Sequence, residues 1–269
     1  MRRCLLLSAS WVLVAGVVGC GGTGSFLGSG AVKPEITAIH PRITGIDLGG
    51  VNLAFDVDVA NPYAVPIRSP RFRYSLDVSG SRFLASEQTV NVDLPKRGTG
   101  TVTLPLRMGY GDLWRTYENL KEAREIAYEL RGALILPVSR RNVEVPFTRS
   151  GNFPVLRLPS FSDIDAKVLE LGMGTGQLAV KANLTNPNVF ALGLKNLGYA
   201  IKIGDIQLSD LSASTLGNVG PGETQALNLN GRLTGGNLAR ILSGGQIGRL
   251  RIEPTGFLET PYGQVPLSR

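Results

Sequence analysis

The stretch Val51-Asn52-Leu53-Ala54-Phe55-Asp56-Val57-Asp58-Val59-Ala60-Asn61-Pro62 decides the fold. Leu53, Phe55, Val57 and Val59 occupy every second position, with Asn52, Asp56 and Asp58 mostly on the other face. A strand with one face buried and the other in water needs that period of two. The outline recurs 125 residues later, where Leu178, Val180, Ala182 and Leu184 alternate with Gln177, Lys181 and Asn183. Under the same shift Pro34 falls on Pro159, Asn61-Pro62 on Asn186-Pro187, Tyr74 on Tyr199 and Leu104 on Leu229, without a gap from residue 34 to residue 108.

Only 11 of those 75 positions are identical, so the argument rests on phase rather than identity. Phe72, Tyr74, Leu76 and Val78 overlay Leu197, Tyr199, Ile201 and Ile203. A slip of one residue would expose the whole apolar set, so matching phase implies matching registers in a duplicated β module. Each copy ends in a hairpin-like segment. Leu134 to Val138, the turn Ser139-Arg140-Arg141-Asn142 and Val143 to Phe147 correspond to Phe257 to Thr260, Pro261-Tyr262-Gly263 and Gln264 to Leu267. Short strands broken by Gly, Pro and Asn predict an all-β protein of two tandem antiparallel immunoglobulin- or fibronectin-III-like sandwiches.

One short helix is expected in each module. Asp112 is the expected N-cap of a segment reaching about Arg131, with Leu113, Tyr117, Leu120, Ala127 and Leu130 as its apolar stripe. Lys121 and Glu125 would lie four apart on its polar side, and Gly132 would end it. The second copy has Asn237 as cap, Leu238, Ile241 and Leu242 as stripe, and Gly244-Gly245 as stop.

Ahead of the repeats, Arg2-Arg3 precede an almost wholly apolar run from Cys4 to Val18, the length of a signal h-region and too short to span a bilayer. It closes in Val17-Val18-Gly19-Cys20. This resembles the lipobox of bacterial lipoproteins, which implies diacylglycerol on Cys20 as the mature N-terminus. Val17 stands where Leu is commoner, and Gly21 rather than Asp after the cysteine implies the outer membrane by the usual sorting pattern. An ordinary secretory signal with an incidental cysteine is the plainer alternative. The organisation expected is a signal peptide over 1–19, a glycine-rich tether over 20–33, sandwiches over 34–149 and 159–269, and a linker over 150–158.

Several function classes lose their chemistry. Cys4 leaves with the signal and Cys20 would be capped, so a mature chain has no free thiol, disulfide or thiolate metal site. His40 is the single histidine and aligns with Asp165, which supplies no His-pair metal site. No Gly-x-Ser-x-Gly elbow occurs. With 43% hydrophobic and 18% charged residues each module can bury a core. The formal charge of +7 falls to +5 without Arg2 and Arg3, and Arg71, Arg73, Arg140 and Arg141 are the nearest approach to clusters. A nucleic-acid surface would be denser and interleaved with aromatics. A solvated surface leaning towards anionic lipid headgroups is the simpler expectation. Gly172-Met173-Gly174-Thr175-Gly176 precedes a strand rather than a helix, so it reads as a turn. Asp56 and Asp58 could pair as carboxylates or hold a cation, but their counterparts are Lys181 and Asn183.

Asn61-Pro62-Tyr63 and Asn186-Pro187-Asn188 remain. Proline ends a strand because it cannot donate to the ladder, and it holds the preceding asparagine extended. That asparagine can bond the backbone two residues on, so both motifs read as structural turns. An alternating strand, then Asn-Pro-Asn or Asn-Pro-Tyr, then Ala64-Val65-Pro66-Ile67, resembles the WHy domain (water stress and hypersensitive response) of the type 2 late embryogenesis abundant proteins. The resemblance covers residues 34 to about 147 and 159 to 267, and Tyr63 departs from the commoner asparagine. It implies a sandwich with one helix, no catalysis, no cofactor and a link to desiccation and other stress. The expected protein is a lipid-anchored, non-catalytic, periplasm-facing protector. The alternative is an envelope adaptor or carrier that holds an apolar ligand, a lipid or a partner protein between sheet and helix.

Overall fold

The computed structural model describes residues 33–138, 140–172, 175–195, 197–203, 206–213, 217–234, 236 and 250–267. The signal segment, Cys20, most of the tether and the helix expected from Asn237 to Gly245 lie outside the described residues. From Lys33 onward the chain forms one compact unit.

The first repeat is a sandwich of two antiparallel sheets. One contains β1 (Glu35–Asp47), β2 (Gly50–Asn61) and β7 (Gly98–Gly109), in that order. The other has the order β5 (Ser81–Thr89), β4 (Arg71–Val78), β8 (Glu125–Val138) and β9 (Arg141–Pro154). A two-residue pair, β3 (Ile67–Arg68) with β6 (Asp93–Leu94), closes one end. Phe55, Val57 and Val59 of β2 and Phe72, Leu76 and Val78 of β4 are fully buried, so the two alternating faces meet. Phe55 packs edge-to-face on Tyr128 of β8 across the sandwich, with ring centroids 5.7 Å apart.

The second repeat copies the plan. β10 (Ser160–Gly172), β11 (Thr175–Thr185), β12 (Leu192–Gly193), β13 (Leu197–Ile203), β14 (Ile206–Ala213), β15 (Asn218–Val219) and β16 (Thr224–Thr234) follow their counterparts at the 125-residue shift. β17 (Leu250–Thr260) and β18 (Gly263–Pro266) form the closing hairpin. Tyr74 opposes Gly132 across β4 and β8, whereas Tyr199 opposes Pro254, so equivalent residues there lie 122 apart. Three residues are therefore missing from the second copy between Thr234 and Leu250. Two pairings are new: Leu211 to Ala213 of β14 pair with Gly231 to Leu229 of β16, and Gly193 of β12 pairs with Glu259 of β17, which together join the strands into one nine-stranded sheet. Every strand pairing described stays within one repeat. The all-β sandwich class expected from the alternation is the one observed.

The helix departs from expectation. α1 spans only Tyr110–Thr116, and a 3₁₀ turn follows at Glu118–Leu120. Gly109, not Asp112, is its N-cap, and Asp112 lies inside the first turn paired with Arg115. Ala127, Leu130 and Gly132 belong to β8, where Ile126, Tyr128 and Leu130 point inward at a period of two. Lys121 pairs with Glu118 rather than Glu125. Gly132 is a mid-strand close approach, because a Cβ there would sit 2.3 Å from the Arg73 carbonyl oxygen. Residues 150–154 of the expected linker continue β9, and Phe153, Val155 and Leu156 are buried.

Candidate functional site

Asn61 and Asn186 stand at the ends of β2 and β11, where a proline stops the ladder. Both are buried, at 1% and 0% exposure, although asparagine is usually a surface residue. Burial of a carboxamide is tolerated only when its donors and acceptor are paired. Asn61 Nδ2 donates to the Val65 and Pro95 carbonyls, both at 2.9 Å, and Oδ1 accepts from the Tyr63 amide at 3.1 Å. Asn186 Nδ2 donates to the carbonyls of Phe190 (2.8 Å), Gly220 (2.9 Å) and Val219 (3.1 Å). Its Oδ1 accepts from the amide and the side chain of Asn188, both at 2.9 Å. Each asparagine thus ties the Asn-Pro turn to the loop before the next sheet-forming strand. Neither amide is left free for a ligand.

Position 63/188 separates the repeats. Asn188, 1% exposed, accepts from the Arg157 amide at 2.7 Å and donates to the Arg157 carbonyl at 2.9 Å. The Arg157 guanidinium donates to the Lys121 carbonyl and, at 3.1 Å, to the Ala123 carbonyl of the first repeat. The Val155 amide bonds the Arg124 carbonyl at 2.8 Å. The Tyr110 hydroxyl donates to the Pro154 carbonyl and accepts from the Leu156 amide, both at 3.2 Å. Residues 154–157 are therefore held by both repeats. Tyr63 is half-buried, and its carbonyl accepts from the Arg97 amide at 2.8 Å. The Asn-Pro-Asn against Asn-Pro-Tyr difference was visible in the sequence. Arg157 and Tyr110 carried no signal there.

His40, Asp56 and Asp58 lie on the outer face of the β1–β2–β7 sheet. His40 Nε2 is 3.5 Å from Asp58 Oδ2, with the imidazole 67% exposed. Asp56 receives Arg42 at 2.6 Å and Thr103 at 2.6 Å, and those hydrogen bonds, led by Arg42, hold its carboxyl below the usual range. Asp58 receives Thr101 at 2.6 Å. His40 opposes Asp56 in the register of β1 and β2, and Asp165 opposes Lys181 at the equivalent place, while the side-chain contacts run from His40 to Asp58 and from Asp165 to Lys167. Among the described residues no three His, Cys, Asp or Glu side chains are placed to hold a metal. Gly172 of β10 opposes Thr175 of β11, and Met173 and Gly174 of the glycine run lie outside the described residues.

Open grooves lie on the surface of the described residues. One, of about 470 Å³, crosses β5, β4 and β8, with Arg73, Arg82 and Arg131 above Ser75, Ala85 and Ala133. Another, of about 520 Å³, lies where β14 splays from β16 beside Gln207, Ser209, Asp210 and Arg232. Within the core, burial pushes the Tyr110 and Tyr199 phenols up to about 12. Tyr199 packs edge-to-face on Phe161, and its hydroxyl finds no hydrogen-bond partner among the described residues.

The alternating, asparagine-stapled sandwich defines a class of folded β protein. Residues 56–151, most of the first repeat, match the family described as late embryogenesis abundant protein (LEA_2). A crystal structure of an Archaeoglobus fulgidus protein is similar at 14% identity and TM-score 0.38, covering 46% of this chain and 100% of its own. A solution structure from Arabidopsis thaliana is similar at 17% identity and TM-score 0.38, covering 51% of this chain and 92% of its own. A third, described as a late embryogenesis abundant protein, has 18% identity and TM-score 0.35, covering 45% and 70%. No curated protein matches.

Proposed function

We propose that this is a lipid-anchored envelope protein whose two sandwiches protect neighbouring molecules during drying and related stress, without catalysis. The match over residues 56–151 carries the reading. The chemistry of the motif agrees with it, because Asn61, Asn186 and Asn188 spend their carboxamides on backbone. In this reading Cys20 supplies the anchor, and Gly21 rather than Asp after it supports an outer-membrane location facing the periplasm. One acyl chain binds a bilayer only marginally, so the several chains of a lipoprotein are what hold it there.

Two measurements test the proposal. Mass spectrometry of the native protein should find Cys20 as a lipid-bearing N-terminus, and Cys20→Ser should leave a soluble or uncleaved product. An unmodified Cys20 removes the anchor from the proposal. Cells lacking the protein should recover poorly from desiccation, and the purified protein should preserve a labile enzyme through drying. A deletion strain that dries and recovers normally, while one envelope process fails, replaces protection with the adaptor reading.

A further inference from the structure

The two repeats share a fold but not the charge of their Asn-Pro ends. In the first repeat that end gathers the start of β1 (Glu35 opposes Ala60), the β3–β6 pair and the tip of the β8–β9 hairpin. Six exposed cations collect there: Lys33, Arg68, Lys96, Arg97, Arg140 and Arg141. Their equivalents in the second repeat are Leu158, Gly193, Pro221, Gly222, Tyr262 and Gly263, all uncharged. Among the described residues the one acid paired with these cations is Asp93, 3.7 Å from Arg68 on an exposed surface.

The apolar side chains at this end differ in the same way. Ala64, Val65 and Pro66 are exposed, Val65 at 45%, whereas Phe190 in the place of Val65 is 7% exposed and packs edge-to-face on Tyr262. The second repeat's end lies against the first repeat, through Asn188 on Arg157 and Gly222 beside the Arg124 guanidinium. The first repeat's end is where the chain enters the unit, at Lys33. Arg97 adds a separate sign. It has φ +47°, in the left-handed region, where the second repeat uses Gly222 at φ +68°. A side chain kept in that strained region calls for a use.

We propose that the Asn61 end of the first repeat is a docking surface for an anionic lipid bilayer. Val65 and its neighbours enter the headgroup layer, and the ring of lysine and arginine pairs with lipid phosphates. Apolar burial and electrostatic attraction act together at such a surface. Each cation near an anionic leaflet contributes about a five-fold factor in partitioning, lost within a Debye length or at high salt. The envelope setting rests on the function proposed above, whereas the chemistry of this surface does not depend on lipid at Cys20.

The test is hydrogen exchange on the full chain, mixed with vesicles of phosphatidylcholine alone or of phosphatidylcholine with phosphatidylglycerol. Amides of residues 62–69, 95–98 and 140–142 should be protected only by the anionic vesicles, and high salt should abolish the difference. Residues 186–193 should not change. The variant Arg68→Gln/Lys96→Gln/Arg97→Gln/Arg141→Gln, all at exposed sites, should keep its Tm and lose the protection, a drop on the order of a hundred-fold or more in partitioning. Val65→Asp should lose it as well, with the cations intact. Equal exchange on both vesicles, or full protection of the four-residue variant, overturns the proposal. If Cys20 is unmodified and the protection persists, anchoring fails and the surface stands. If the chain floats with both vesicles and these amides do not respond to phosphatidylglycerol, the surface fails alone.

Discussion

Asn186→Ala removes a carboxamide whose two N–H hydrogens serve three backbone carbonyls and whose oxygen serves the Asn188 amide and side chain. A neutral hydrogen bond contributes about 0.5–1.5 kcal/mol net, and a buried group left unpaired costs about 1–3 kcal/mol. The Asn188 amide loses its acceptor and three carbonyls lose their donor in a region closed to water, where Asn188 is 1% and Phe190 7% exposed. Together these give a destabilisation of about 3–5 kcal/mol. Asn61→Ala breaks fewer bonds, two carbonyls and one amide, beside a loop in which Val65 is exposed and water can enter. Its cost should be about 2 kcal/mol. Asn186→Asp should be at least as damaging as alanine, since a carboxylate would face the same three carbonyls without a donor. Urea unfolding of the full chain, followed by circular dichroism, reads the shift in midpoint at constant slope. Equal costs for Asn61→Ala and Asn186→Ala, or a cost below about 1 kcal/mol for Asn186→Ala, would refute the view that these side chains hold the turns.

Tyr199→Phe should be neutral or stabilising, because it deletes a buried hydroxyl without a described partner, whereas Tyr199→Ala should cost about 3–5 kcal/mol in cavity and lost packing. The same urea titration separates the two. Gly132→Ala should destabilise strongly, since its Cβ would lie 2.3 Å from the Arg73 carbonyl oxygen, and a Tm within the error of the unchanged protein would contradict the register of β4 and β8. Alkali should unfold the protein through Tyr110 and Tyr199, whose folded pKa of about 12 lies above the unfolded value of 10.0. Below pH 10 both states hold the proton and nothing changes. Between about 10 and 12 the unfolded state releases it first, so stability should fall by about 1.4 kcal/mol per pH unit for each tyrosine. Stability that held steady up to pH 12 by thermal melting would disprove that burial.

The helix shows where local pattern misleads. Leu113, Tyr117 and Leu120 keep a helical spacing, and Leu130 fits both that stripe and an alternating one. Ile126, Tyr128 and Leu130 could be assigned to a strand only once β4 and β9 were known to flank them, because pairing on both sides overrides local propensity. The linker failed for a related reason. Gly151, Asn152 and Pro154 look like breakers, yet Phe153, Val155 and Leu156 are buried against the first repeat.

Alternation alone determined the all-β fold, its duplication, the buried faces of β2, β4, β11 and β13 and both closing hairpins, because a period of two has one folded meaning when a core must form. The places of Asn61-Pro62 and Asn186-Pro187 at strand ends were equally legible, since proline cannot continue a ladder. The sequence did not reveal that Asn186 reaches Val219 and Gly220, that Asn188 grips Arg157, or that β14 joins β16. Nor did it show that cations from residues 33, 68, 96–97 and 140–141 share one end of the first repeat. Each is a contact between residues far apart in the chain, and periodicity carries no information about which distant segments meet. Only the closing of the two sheets brings them together.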